Sequence, residues 1–205
     1  MTSKAGAGRR EPGGDRPRPL KRSFYVRPTL TVARALLGYR LCHRVGEEVR
    51  RARIVEVEAY TDDAASHARG AKRTPRNAVM FGPAGRAYVY FTYGMHFCFN
   101  IVTERDGIPG AVLIRGVDGI AGANGPARVC RTLQIDRRQN DVDLTTGALL
   151  WVERGRRRKG ERIVQTTRIG IRTACELPWR FYLAGSDGVS KRDRAAEKSA
   201  LSDEQ

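Results

Sequence analysis

The run Arg53-Ile54-Val55-Glu56-Val57-Glu58-Ala59-Tyr60 constrains this chain more than any other. Successive side chains of extended backbone point to opposite faces, so Ile54, Glu56 and Glu58 share one side of a strand and Val55, Val57 and Ala59 the other. Two carboxylates on one face leave room for one to be structural and the other to do chemistry. A loop with a single histidine follows, Ser66-His67-Ala68-Arg69-Gly70, and then a basic turn, Arg73-Thr74-Pro75-Arg76-Asn77. The next extended run, Ala87-Tyr88-Val89-Tyr90-Phe91, turns at Tyr93-Gly94-Met95-His96 and returns as Phe97-Cys98-Phe99-Asn100, which reads as a β-hairpin.

The flanking sequence extends this into a sheet. Thr31 is expected to cap a short helix from Val32 to Leu37, with Gly38 as its stop. Strands are expected over Tyr39–Val45 and Arg50–Tyr60, joined at Gly46-Glu47-Glu48, and a buried strand over Gly110–Arg115. Gly125-Pro126 opens a helix through Leu133, with proline in a favoured first-turn position. Further short strands are expected at Ala148–Glu153, Arg162–Ile171 and Trp179–Leu183. The pattern is α+β: a single domain with a mainly antiparallel curved sheet, a protruding hairpin and a few short helices. The domain is expected over residues 23–193. A Gly-, Pro- and Arg-rich basic tail, residues 1–22, should be disordered, and residues 194–205 should form a flexible C-terminal tail.

Composition narrows the class of partner. At 205 residues the chain can bury a core without staples. A net charge of +16 favours a polyanion, and nucleic acid is the commonest one. Of the 38 basic residues only six are lysine. Arginine suits phosphate through its planar fork, although a GC-rich genome would inflate arginine as well. Cys42, Cys98, Cys130 and Cys175 are far apart with no CxxC spacing, so zinc ribbons, iron–sulfur clusters and redox pairs have no local support. No signal-peptide pattern and no apolar run of membrane-spanning length is present, which suits a cytoplasmic, nucleoid-associated setting.

Three runs carry a resemblance: Ile54–Tyr60, Thr74-Pro75-Arg76-Asn77-Ala78-Val79-Met80-Phe81 and Tyr88-Val89-Tyr90-Phe91-Thr92-Tyr93-Gly94-Met95. The chain resembles the bacterial form of the alkyladenine (3-methylpurine) DNA glycosylase family, with weaker similarity from Phe24 to Asp193. The resemblance implies excision of alkylated purines, with deaminated or etheno purines as further substrates, by water-assisted cleavage after the base is flipped out of double-stranded DNA. Glu58, just before Ala-Tyr, matches the family's water-activating residue, and Arg115 an arginine beside that water. By themselves, a lone strand glutamate or arginine would be read as a solvated face or an ion pair. Tyr60, His67 and Tyr90 would wall the base pocket, since a flipped purine needs flat partners. Asn100 matches the position held to exclude bases with a bulky exocyclic amino group. Tyr93 would fill the space left by the flipped nucleotide, with Met95 and His96 flanking it in the minor groove. Arg73, Arg76 and Arg128 are candidate backbone contacts.

The only lysine inside the matched site segments, Lys72, lies in a loop, which implies a monofunctional enzyme that leaves an abasic site. No cofactor or metal is implied, and the chain is expected to act as a monomer. The sequence departs from the family pattern at Gly116-Val117-Asp118-Gly119 and at Gly125-Pro126-Ala127-Arg128-Val129. Two other readings stand beside this one. A metal-dependent nuclease would build on Glu56, Glu58, Asp62 and Asp63. A non-catalytic nucleic-acid-binding relative would use the same hairpin.

Overall fold

The computed structural model describes residues 16–202, and its centre is one long strand. β2 (Glu48–Tyr60) follows β1 (Arg40–Val45) through the tight turn at Gly46-Glu47. The remaining strands are β3 (Ala87–Thr92), β4 (His96–Val102), β5 (Ala111–Asp118), β6 (Leu150–Glu153), β7 (Ile163–Thr166) and β8 (Arg180–Leu183). The main path runs β3-β4-β5-β2-β1-β6; β8 also pairs with β2, and β7 with β8. Every pairing is antiparallel, and the sheet curls into a half-barrel. Among the described residues four short α-helices complete this α+β domain: α1 (Arg22–Tyr25), α2 (Thr29–Leu36), α3 (Pro126–Leu133) and α4 (Arg194–Ser202).

β2 is long enough to serve three neighbours. From Arg53 to Tyr60 one edge pairs with β5, while the other pairs first with β1 and then, over Glu56–Glu58, with β8. The β2–β5 register slips on either side of Glu56, a bulge that sets Glu56 opposite Gly116. A side chain at Gly116 would meet the Gly188 carbonyl oxygen at 2.0 Å. The bare backbone there lets the Gly188–Ser190 loop close over Glu56.

The apolar face of β2 meets α2 through Val32, Ala33 and Leu36 in the main core, with Phe99, Ile114 and Phe181 among its other members. A second cluster, Ala68, Met80, Phe81, Tyr88, Val102 and Ala111, lies beneath the long loop between β2 and β3. That loop is therefore packed onto the sheet. No helix among the described residues is long and apolar enough to cross a membrane.

Several boundaries differ from the sequence expectation. α2 starts at Thr29, two residues before the expected cap at Thr31. The Thr29 amide and hydroxyl both donate to the Glu104 carboxylate, at 2.6 and 2.9 Å, so the helix start is held by a residue 75 positions away. β7 stops at Thr166, because Ile169 to Ile171 leave the sheet and cross the mouth of a cavity. The disordered tail expected over residues 1–22 lies outside the described residues up to position 15. From there the chain is docked: the Leu20 amide bonds to the Val152 carbonyl, Leu20 is buried, and Arg22 pairs with Asp143 at 2.5 Å. Residues 194–202, expected to be flexible, form α4, whose Ala196 and Ala200 pack on the main core.

Candidate active site

One face of four adjacent strands builds the site by alternation. Register pairs Tyr88 with Asn100, Tyr90 with Cys98, Asn100 with Leu113, Leu113 with Glu58, and Ala111 with Tyr60. Residues paired across neighbouring strands project to the same side, so these side chains and Arg115 crowd one concave surface. The 169–173 segment and the 64–69 loop close the rim, enclosing about 600 Å³. Tyr60, His67, Tyr90, Asn100, Tyr93 and Arg115 all line this cavity. Glu58 lies one layer behind the wall, with no exposed surface.

Glu58 is held by two hydrogen-bond donors and one ion pair, all from residues that face the cavity. The Tyr60 hydroxyl donates to Oε2 at 2.7 Å, the Ile169 amide donates to Oε1 at 2.7 Å, and Arg115 Nη1 lies 3.4 Å from Oε1. Burial pushes the Glu58 carboxyl above its usual range, opposed first by Arg115, then by the Ile169 amide and Tyr60, while Glu56 adds to the rise. Burial would lower the Arg115 guanidinium, but Glu58 and Glu56 hold it above its ordinary value. Glu56 is the structural partner. It accepts from Arg180 at 3.0 Å and from the Ser190 amide at 2.7 Å, and Arg115 Nε lies 3.4 Å away.

The walls are aromatic. The His67 and Tyr90 rings meet edge to face, 4.5 Å between centres. His67 Nδ1 is 2.7 Å from the Tyr88 hydroxyl. Crowding against the protein lowers the His67 pKa, and the charge of Arg76 adds to this, so the imidazole is neutral at physiological pH. Burial pushes the Tyr88 hydroxyl up to about 12, and likewise raises Tyr60 and Tyr90, so all three stay protonated. Asn100 Nδ2 donates to the Tyr88 carbonyl at 3.0 Å, which fixes its amide at the cavity floor.

At the rim, the hairpin turns through Tyr93 and Gly94, both at positive φ (51° and 66°). Tyr93 is 81% exposed and Met95 68%. Met95, His96 and Arg128 border a second cleft on α3, so the hairpin tip stands between two hollows. Arg76 donates to the Phe91 carbonyl at 3.4 Å and stands 5.7 Å from the Tyr90 ring centre, beside the cavity. Arg73 is exposed and lines neither hollow.

The sequence reading missed Tyr88, Cys98 and the strap of residues 169–173. The first two had a signal, since they alternate with Tyr90 and Asn100 on the same strands. The Ile169 contribution is a backbone amide and has no side-chain signature. The carboxylates proposed for a metal cluster are separately engaged: Asp63 takes a bidentate pair from Arg168, and Glu56 takes Arg180 and Ser190. Among the described residues no group of three His, Cys, Asp or Glu side chains is placed to hold a metal ion.

An aromatic-walled cavity with a buried carboxylate, set beside an exposed tyrosine at a hairpin tip, suits enzymes that act on a nucleic-acid base outside its stack. Comparison with known proteins gives the family. The model of the methylpurine-DNA glycosylase family matches residues 23–187. The chain is 44% identical over 190 residues to a protein of Carboxydothermus hydrogenoformans, covering 84% of this chain and 99% of that one. A protein of Methanoculleus marisnigri is 45% identical, covering 84% and 99%, and one of Anaeromyxobacter dehalogenans 47%, covering 84% and 86%. Each of the three bears the name "Putative 3-methyladenine DNA glycosylase". The chain belongs to the methylpurine-DNA glycosylase family. It is therefore a base-excision repair enzyme, a hydrolase of the N-glycosyl bond of damaged bases in DNA.

Proposed function

We propose that Glu58 is the general base of this hydrolysis and that the substrate is an alkylated purine flipped out of double-stranded DNA. The observation that carries the reading is the buried Glu58 carboxylate, held by two hydrogen bonds and an ion pair at the wall of a cavity lined by Tyr60, His67 and Tyr90. The purine lies between the aromatic side chains, each stack contributing on the order of 1–3 kcal/mol. Water approaches C1′ of the sugar from the Glu58 side. The C1′–N bond breaks with its electron pair leaving on the base, the water oxygen bonds to C1′, and Glu58 takes the proton. A base carrying an alkyl group on a ring nitrogen is already cationic, so it departs neutral without an added proton. The Glu58 and Arg115 pair borders the reacting centre, and the ionised carboxylate offsets the positive charge developing on the sugar.

Tyr93 fills the space left by the flipped nucleotide, Met95 and His96 flank it in the minor groove, and Arg73, Arg76 and Arg128 meet phosphates. Asn100, anchored at the floor, selects against purines with an exocyclic amino group in the wrong place. Among the described residues no lysine lines the cavity, which supports simple hydrolysis to an abasic site over Schiff-base chemistry. One chain carries every group this mechanism uses, in keeping with action as a monomer.

The test uses duplexes each carrying one candidate lesion, with base release read by alkaline cleavage. Glu58→Gln should bind lesion DNA and lose at least ~10²-fold in single-turnover excision, since the amide keeps the shape but cannot accept the proton. Excision at near wild-type rate would remove Glu58 from the mechanism. Loss of wild-type activity in EDTA would instead favour a metal-dependent reaction.

A further inference from the structure

Arg168 has no role in the mechanism above and does not line the cavity, yet its side chain is fully buried beside it. Its Nη1 donates to the Ala59 carbonyl at 3.0 Å and to Asp63 Oδ2 at 3.2 Å. Its Nη2 donates to Asp63 Oδ1 at 2.7 Å and to the Ala174 carbonyl at 3.3 Å. The guanidinium carbon lies 4.7 Å from the ring centre of Tyr60 and 5.1 Å from that of Trp179.

These contacts converge on Glu58 from two sides. Ala59 immediately precedes Tyr60, whose ring lies against Arg168 and whose hydroxyl donates to Glu58 Oε2. Ile169 immediately follows Arg168, and its amide donates to Glu58 Oε1. One guanidinium thus fixes both uncharged donors on the carboxylate. The ion-pair partner, Arg115, belongs to β5 and is shared with Glu56.

We propose that Arg168, clamped by Asp63, is a positioning residue that keeps Glu58 ionised and ready to accept a proton, by aiming the Tyr60 hydroxyl and the Ile169 amide at its two oxygens. This rests on the reading of Glu58 as the base. Hydrogen bonds donated to a carboxylate favour its charged form, and they matter most where burial opposes that charge. The other titratable or charged groups facing Glu58 are Arg115 on β5, Glu56 on β2, Tyr90 on β3 and Cys98 on β4, while Arg180 on β8 is engaged with Glu56. Arg168 hydrogen-bonds to none of these, so disturbing it changes the two neutral donors and leaves the rest of the surroundings in place. The planar fork is essential to the geometry: an ammonium cannot span both Asp63 oxygens and two carbonyls.

The experiment measures single-turnover excision of an alkylated purine from duplex DNA across the acidic and neutral range, for Arg168→Lys, Asp63→Asn and the control Glu58→Gln. In Arg168→Lys and Asp63→Asn the acid limb of the profile should move up by about one pH unit, as expected for the loss of one or two well-aimed hydrogen bonds. Lesion affinity should be kept, and the rate should recover toward wild type once the pH exceeds the shifted limb. A residue that only supports the fold would lower the rate equally at every pH, along with the melting temperature, and would leave the limb where it is. That outcome overturns the proposal. If Arg168→Lys does not fold, Asp63→Asn carries the test, because Arg168 keeps its bonds to Ala59 and Ala174. Should Glu58→Gln retain excision, the reading of Glu58 as the base fails. Should Glu58→Gln be inactive while both other variants share the wild-type limb, Glu58 stands and the role of Arg168 falls.

Discussion

At the scale of single residues, the site turns on the balance around one buried carboxylate. Burial raises the Glu58 pKa above its ordinary 4.5, so the acid limb of excision should lie above that value. The same shift has a consequence for stability. A carboxyl whose folded pKa is raised holds its proton more tightly in the folded state than in the unfolded one, so its contribution turns against folding as pH rises through the folded pKa. Glu58→Gln imitates the protonated form, and at neutral pH it should melt above wild type, by a few degrees, while excising far more slowly. A lower melting temperature would mean that the ion pair with Arg115 outweighs the desolvation of Glu58. The place of Glu58 at the cavity wall was legible in the sequence only through the resemblance carried by the Glu-Ala-Tyr run, since alternation alone would leave a strand glutamate as a solvated face or an ion pair. Its dependence on the Ile169 amide was not, because a backbone donor 111 positions away leaves no mark in residue type.

At the scale of elements, the β3–β4 hairpin shows a local conflict. Tyr93 takes a left-handed backbone conformation that a bulky side chain rarely adopts, and it exposes most of its ring. Strain of this kind, of order 1–3 kcal/mol, persists where function requires it. Tyr93→Gly should therefore leave thermal stability unchanged or slightly higher. Tyr93→Ser should lower the flipped fraction reported by a fluorescent base beside the lesion and slow excision from duplex. On a mismatched or bulged lesion, where extrusion is already easy, that deficit should shrink. A uniform loss across substrates with a falling melting temperature would sink the wedge assignment. The hairpin could be read from sequence because alternation and a Tyr-Gly turn are local signals. The end of β7 and the start of α2 could not, since the first is set by the strap that covers the site and the second by Glu104 across the fold.

At the scale of the whole molecule, a net charge of +16 in 205 residues should make DNA binding steeply dependent on salt, because each phosphate contact releases counterions. Measured as log affinity against log salt, the slope should be large and linear. Removing residues 1–15 should lower non-specific affinity and leave the single-turnover rate intact at saturating enzyme. A cut through residue 21 goes further, since Leu20 caps the β6 edge and is buried. It should also lower the melting temperature. A fall in the rate of chemistry with the shorter cut would show that the basic segment takes part in catalysis. A single mainly antiparallel α+β domain could be read from composition and pattern. The docking of the chain from Leu20 and the helix at 194–202 could not, because both depend on distant sheet surfaces that locally polar sequence does not announce.

β2 is hydrogen-bonded along one edge to β5 and along the other to β1 and β8. Backbone held on both sides cannot open piecemeal. Its amides exchange with solvent only when the sheet as a whole lets go, whereas an exposed turn such as Tyr93-Gly94 opens alone. The strand that carries Glu58 is thus the last segment to come apart, and the turn that carries Tyr93 one of the first.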